Sequence, residues 1–254
     1  MYRNTVDCMH LPIIEAQIIP LKRDFQDMYS LRNRWIDIFN RWYPELDTLL
    51  ESVNAESERR KIAYRFFSRV YEEQMLAMEQ ALKRFNRRWP KLNDKVMLAL
   101  SDVIEKEWSE KDRIVHVYMS MNPVCPRFIK ARSFDIFYKG NFREMAVTCV
   151  HELSHFLYFD KWKEVFPETN EKEFDYPYLV WKLSEMVPAI ILNDKRIHKV
   201  VDFDFGAYPQ FEKCKIDGRP LLSYLQGFYD NRKNFADFLR KSWRFVKAHE
   251  REIP

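Results

Sequence analysis

The sequence has almost no glycine. Its four glycines, Gly140, Gly206, Gly218 and Gly227, are spread so widely that no two form a Gly-x-Gly loop. Such loops let backbone N–H groups close on a phosphate, so Rossmann and P-loop chemistry is not expected, and the nucleotide-binding classes drop out of the sequence reading. Cysteine is equally sparse: Cys8, Cys125, Cys149 and Cys214 lie far apart and form no C-x-x-C. That spacing suits reduced thiols better than a disulfide framework. No apolar run is long enough for a membrane span, and residues 1–22, with Asp7 and Pro12, do not read as a signal peptide. The expected location is cytoplasmic, with no membrane segment. A dominant charge is missing as well, since a net +4 neither demands nor excludes nucleic acid.

Apolar and aromatic side chains are plentiful, at 46% and 16% of the chain, which is enough to bury one large core or two small ones. Between residues 21 and 108 they recur at helical spacing. One helical stretch runs through Phe25, Met28, Tyr29, Trp35, Ile36 and Phe39, and Pro44 opens the next. A long helix is expected over residues 57–89, with Ile62, Phe66, Val70, Met75, Met78, Leu82 and Phe85 inward, and Pro90 stops it. A further helix is expected over residues 94–108. The long helix carries Arg59, Arg60, Arg65, Arg69, Lys83, Arg84, Arg87 and Arg88, but Glu56, Glu58, Glu72, Glu73 and Glu79 share the segment. The mixture reads as a solvated face, and no nucleic-acid partner is expected.

After Lys111 the period changes from helical to extended. Residues 113–121 alternate β-branched and aromatic side chains, Asn122-Pro123 breaks the run, and residues 133–138 form a second strand. His116 then projects from a strand and reads as a core or sheet-face histidine. Residues 201–206 read as a loop or short strand, and residues 220–229 and 231–249 as two helices. The expected fold is α+β and mainly helical, with a helical N-terminal region over residues 1–110 and a core with a small sheet over residues 111–254.

The chemistry sits in residues 145–159, Met-Ala-Val-Thr-Cys-Val-His-Glu-Leu-Ser-His-Phe-Leu-Tyr-Phe. They contain His151-Glu152-Leu153-Ser154-His155, an H-E-x-x-H. Positions four apart on a helix are about 6 Å apart along the axis and about 40° apart around it, so both rings converge on one ion. Glu152, beside the first of them, is placed to take a proton from an attacking water. Val147, Thr148, Cys149, Val150, Leu153, Phe156 and Leu157 surround the three ionisable groups without a formal charge. Such a helix is buried, and a buried polar group costs several kcal/mol unless paired or liganded.

Residues 148–157 resemble the active-site helix of zinc metallopeptidases of the zincin clan. The metzincin branch is the poorer match, because its third-ligand place is Lys161 and its glycine place is Tyr158. The gluzincin branch is the better one, and that resemblance implies a zinc ion, hydrolysis of a peptide or protein substrate, and a third ligand from a glutamate on a later helix. Glu185 is the candidate. Its segment, residues 179–192, carries Leu179, Val180, Leu183, Met186, Val187, Ile190 and Ile191 around a single carboxylate, which needs a cation if buried. Pro188 should bend this helix within a turn of Glu185. The gap from His155 exceeds the branch's usual spacing, and Ala189 stands where many members have an aspartate, so another group must orient the histidines. The resemblance also implies that residues 133–138 line the substrate cleft as an edge strand. An oxyanion-stabilising residue is required, and His198, Tyr208, Tyr224, Tyr229 and His249 are available for it.

Two other readings stand beside this one. The first is a zinc-binding but catalytically silent regulatory or interaction protein with a zincin fold. The second is a nucleic-acid-binding helical protein with an incidental H-E-x-x-H, whose signature would be a steep salt dependence of binding.

Overall fold

The computed structural model describes residues 11–254. In chain order its main elements are β1 (Ile13–Ile18), α1 (Leu21–Arg32), α2 (Ile36–Trp42), α3 (Pro44–Leu50), α4 (Glu56–Arg88), α5 (Asn93–Ile104), β2 (Ile114–Ser120), β3 (Arg127–Phe128), β4 (Ser133–Phe137) and α6 (Phe142–Val165). They continue with α7 (Leu179–Met186), α8 (Pro188–Ile191), α9 (Lys195–His198), α10 (Pro209–Lys213), β5 (Lys215–Ile216), β6 (Arg219–Pro220), α11 (Leu221–Asp230) and α12 (Phe235–Ala248). The fold is α+β, mainly helical with a small mixed sheet, as the change of period predicts. Among the described residues no helix is long and apolar enough to cross a membrane. Among the described residues Cys125, Cys149 and Cys214 form no disulfide with one another; the readings of residues 1–10, Cys8 included, lie outside the described residues.

Two compact units emerge, and neither follows the order of the chain. The sheet unit takes Ile13–Lys91 and Ile114–Cys149; the helical unit takes Leu92–Arg113 and Val150–Pro254.

In the sheet unit the strand order is β1-β2-β4-β3. β1 pairs parallel with β2 from Ile13 opposite Ile114 to Ile18 opposite Met119, and β2 pairs parallel with β4. Nothing in the helical pattern of the N-terminal region announced β1. Its partner strand is remote in sequence, so the pairing leaves no local signature. β4 is not the edge strand expected of it: β3 pairs antiparallel with Phe134 and Ser133, and the Asp135 N–H donates to Pro126 O at 3.0 Å. The long helix α4 lies against β1 and β2, with Phe66, Phe67, Met78 and Phe85 fully inward and Ile62 and Val70 half-buried. Three tyrosine hydroxyls tie this unit together, Tyr43 to Met121 O at 2.6 Å, Tyr71 to Ile19 O at 2.7 Å and Tyr138 to Gln74 at 2.9 Å. His116 stands on the half-exposed sheet face, 3.9 Å from Glu15.

One buried acid fastens α1 to the end of β2. Asp24 accepts a hydrogen bond from the Ser120 hydroxyl at 2.6 Å and another from the Met121 N–H at 3.0 Å. Burial pushes its carboxyl up to about 6, against those two donors, which pull it down.

In the helical unit α5 stops at Ile104, short of the expected end at Trp108. Glu105 turns the chain left-handed with φ 54°, and Trp108 folds back so that its indole N–H donates to Met97 O at 2.9 Å. α7 lies against α12, and α8 against α11. Residues 201–206 form a loop, pinned where the Asn193 side chain both donates to Phe205 O and accepts from Phe205 N–H. Asp194 caps α9, accepting from the Arg196 backbone N–H at 2.9 Å. Its carboxylate also receives the Arg196 guanidinium and, at 2.8 Å, the Tyr229 hydroxyl.

Candidate metal centre

α6 carries the motif. Its start is set by a reciprocal cap: Asn141 Oδ1 accepts from the N–H groups of Arg143 and Glu144, while Glu144 Oε2 accepts from the Asn141 N–H at 2.8 Å. A Cβ at Gly140 would sit 3.3 Å from Glu144 Oε2, the oxygen that closes this cap. From Met145 onward the helix is buried on nearly all sides, as a run without formal charges requires, and the boundary between the two units falls inside it, after Cys149.

The second carboxylate-bearing element is α7. Pro188 has no N–H to give to the Ser184 carbonyl, so the helix is interrupted at Val187, two residues past Glu185, and resumes as α8. Glu185 therefore occupies the last turn of α7, where it is buried.

The motif and this last turn meet. His151 Nε2 and His155 Nε2 are 3.0 Å apart, and Glu185 Oε2 lies 3.6 Å from the first and 3.8 Å from the second. Among the described residues these three form the cluster able to hold a metal ion, and all three belong to the helical unit. A point equidistant from the three atoms lies about 2.0 Å from each, the length of a metal–imidazole or metal–carboxylate bond. The residues thus fit a divalent ion with a position left open.

Glu152 stands beside this triangle and outside it, with Oε1 4.0 Å from His151 Nε2. Its side chain is 9% exposed, whereas His151 is 25% exposed and is the member of the set open to solvent. Two acids close to the motif in sequence are paired elsewhere: Glu164 with Lys106 at 2.7 Å and Lys161 at 3.1 Å, and Glu171 with Lys163.

Aromatic rings support the cluster in a way the sequence reading missed. The His155 ring stacks on Phe159, one turn later at 6.1 Å, and Phe159 stacks on Phe174 at 4.4 Å. The spacing of His155 and Phe159 was a signal available in the sequence; the Phe174 contact was not, because it comes from across the loop. Four of the five residues considered for an oxyanion role are engaged locally. Tyr229 donates to Asp194, Tyr224 to Ile216 O, His249 faces Glu252 at 2.7 Å and His198 faces Asp204 at 3.7 Å. The fifth, Tyr208, stacks on Trp181, one turn before Glu185 on α7.

Protein-family models, curated proteins and solved structures yield no match to this chain.

Proposed function

We propose that the chain is a zinc-dependent metallopeptidase with a gluzincin-like ligand set on a zincin-like core, acting on a peptide or protein substrate. His151, His155 and Glu185 hold the ion in this reading. A two-histidine, one-carboxylate set also serves iron(II) oxygenases, so the ligands alone do not select the reaction. The observation that carries the proposal is Glu152, a buried carboxylate adjacent to the ligand triangle and not part of it. Hydrolysis needs such a group, whereas oxygen activation does not.

Zinc, when bound, supplies Lewis acidity and lowers the pKa of a water in its open position. Glu152 then accepts a proton from the attacking water and delivers it to the leaving amine. Its burial keeps bulk water from competing for that proton, and the helix holds it within a fixed distance of His151. His155 packs against Phe159, and the part-exposed His151 marks the side from which a substrate reaches the cluster.

The test pairs metal analysis with hydrolysis of a mixed peptide library. About one zinc per chain is expected, with cleavage that a chelator abolishes and added zinc restores. Stoichiometric iron, or cleavage indifferent to the chelator, overturns the reading.

A further inference from the structure

Helices α1 and α4 pack together and leave a groove on the sheet unit that has no part in the metal cluster. Its cavity is about 550 Å³, within the range that takes a small organic ligand. Lys22 and Gln26 line it from α1, and Ser57, Lys61, Tyr64 and Arg65 from α4. Arg60 completes the wall and Phe25 the floor.

Three chemistries meet there. The first is positive charge. Lys22, Arg60, Lys61 and Arg65 all line the groove and no acid does; of these four, Lys61 alone has an ion-pair partner among the described residues, Glu58 at 3.5 Å. Four cations around one cavity repel each other, and an anion placed between them relieves that repulsion. The second is a set of flat rings. Tyr64 meets Phe25 edge-on at 5.0 Å and 82° and remains 42% exposed, while the Arg60 guanidinium lies over Phe25 at 5.3 Å and Tyr29 at 5.1 Å. Arg60 is thereby held in place, in contrast to Arg59, whose guanidinium is spent on the carbonyls of Leu50 and Val53. The third is neutral hydrogen bonding from the Gln26 amide and the Ser57 hydroxyl.

A ligand using all three has a polyanionic group, a planar ring and polar atoms at the ring edge. We propose that this groove binds a nucleotide, with its phosphates among Lys22, Lys61 and Arg65 and its base against Tyr64. The scarcity of glycine removes only backbone phosphate loops, and recognition here is by side chains.

Isothermal titration of the full chain with ATP, inorganic tripolyphosphate and adenosine tests this. ATP is expected to bind at least about tenfold more tightly than either fragment. Lys61→Gln and Arg65→Gln should each weaken ATP by about tenfold, with the salt dependence of binding reduced. Tyr64→Ala should weaken ATP but leave tripolyphosphate unchanged, and Tyr64→Phe should restore ATP binding. These side chains are exposed, so unaltered thermal melts are expected for all variants. The proposal is overturned if ATP fails to bind at about 1 mM, if tripolyphosphate binds as tightly as ATP, or if none of the variants alters ATP binding. A hexaglutamate peptide binding as tightly as ATP would also overturn it, by assigning the groove to acidic protein segments.

Discussion

Glu185 Oε2 lies 3.6 Å from His151 Nε2, so a carboxylate on one helix and an imidazole on another address one point. That convergence leads to the first expectation. His151→Ala, His155→Ala and Glu185→Ala should each lower metal content well below one equivalent, measured by plasma emission after dialysis. Glu185→Ala retaining full metal would remove the third ligand and, with it, the gluzincin assignment.

Glu152 should behave differently. Glu152→Gln keeps the size and polarity of the side chain but takes away the base, so zinc content should stay at wild-type level while peptide cleavage falls by about 10²–10⁴. Metal loss in this variant would show that Glu152 is a ligand and that its role has been misassigned.

Asp24 makes the sheet unit's stability depend on pH. Its folded pKa, about 6, is above the usual carboxylate value, so the folded state binds more protons than the unfolded one between about 4 and about 6. Its contribution is complete below about 4 and is lost as pH rises through 6. Relative to Asp24→Asn, the wild type should lose roughly 2 kcal/mol of unfolding free energy between about pH 4.5 and about pH 8, read from urea titrations. A constant difference across that range would contradict the burial argument.

Asp194 has the opposite sign. Hydrogen bonds from Arg196, with a further one from Tyr229, hold its carboxyl well below the usual range despite the opposing effect of burial. The resulting stability is present above about pH 4 and is lost as pH falls below it toward the lowered folded value. Asp194→Ala removes both a helix cap and an ion pair that is part-exposed on the Arg196 side, and should cost roughly 1–3 kcal/mol near neutral pH. Tyr229→Phe should cost less, about 1 kcal/mol. Equal costs for the two variants would place the stabilisation in the tyrosine alone.

What could be read from the sequence was what depends on near neighbours. The helical period marked α4 to within a residue at each end, and the uncharged setting of the motif implied a burial that holds for Glu152 and His155, while His151 stays part-exposed. Glu185 was recognisable because an acid in an apolar helix needs a reason, and Pro188 because its missing N–H acts within one turn. The failures share a cause. β1 takes its identity from β2, the two-residue β3 is too short to show a period, and its pairing turned the expected edge β4 into an inner strand. Glu105 ends α5 by a left-handed backbone, which its residue type does not advertise.

The parallel register of Ile13 with Ile114 also bears on how the chain is made. A ribosome releases β1 about a hundred residues before its partner, so the first strand of the sheet must wait, edge exposed, while α1 to α5 emerge. Local helices can form during that interval, but the sheet cannot begin until β2 has left the exit tunnel. Closing so long a loop costs entropy before the pairing repays it, so this pairing forms more slowly than the local helices. A nascent chain stalled before residue 114 is accordingly the form of this protein most open to capture by chaperones or to self-association through Ile13–Ile18.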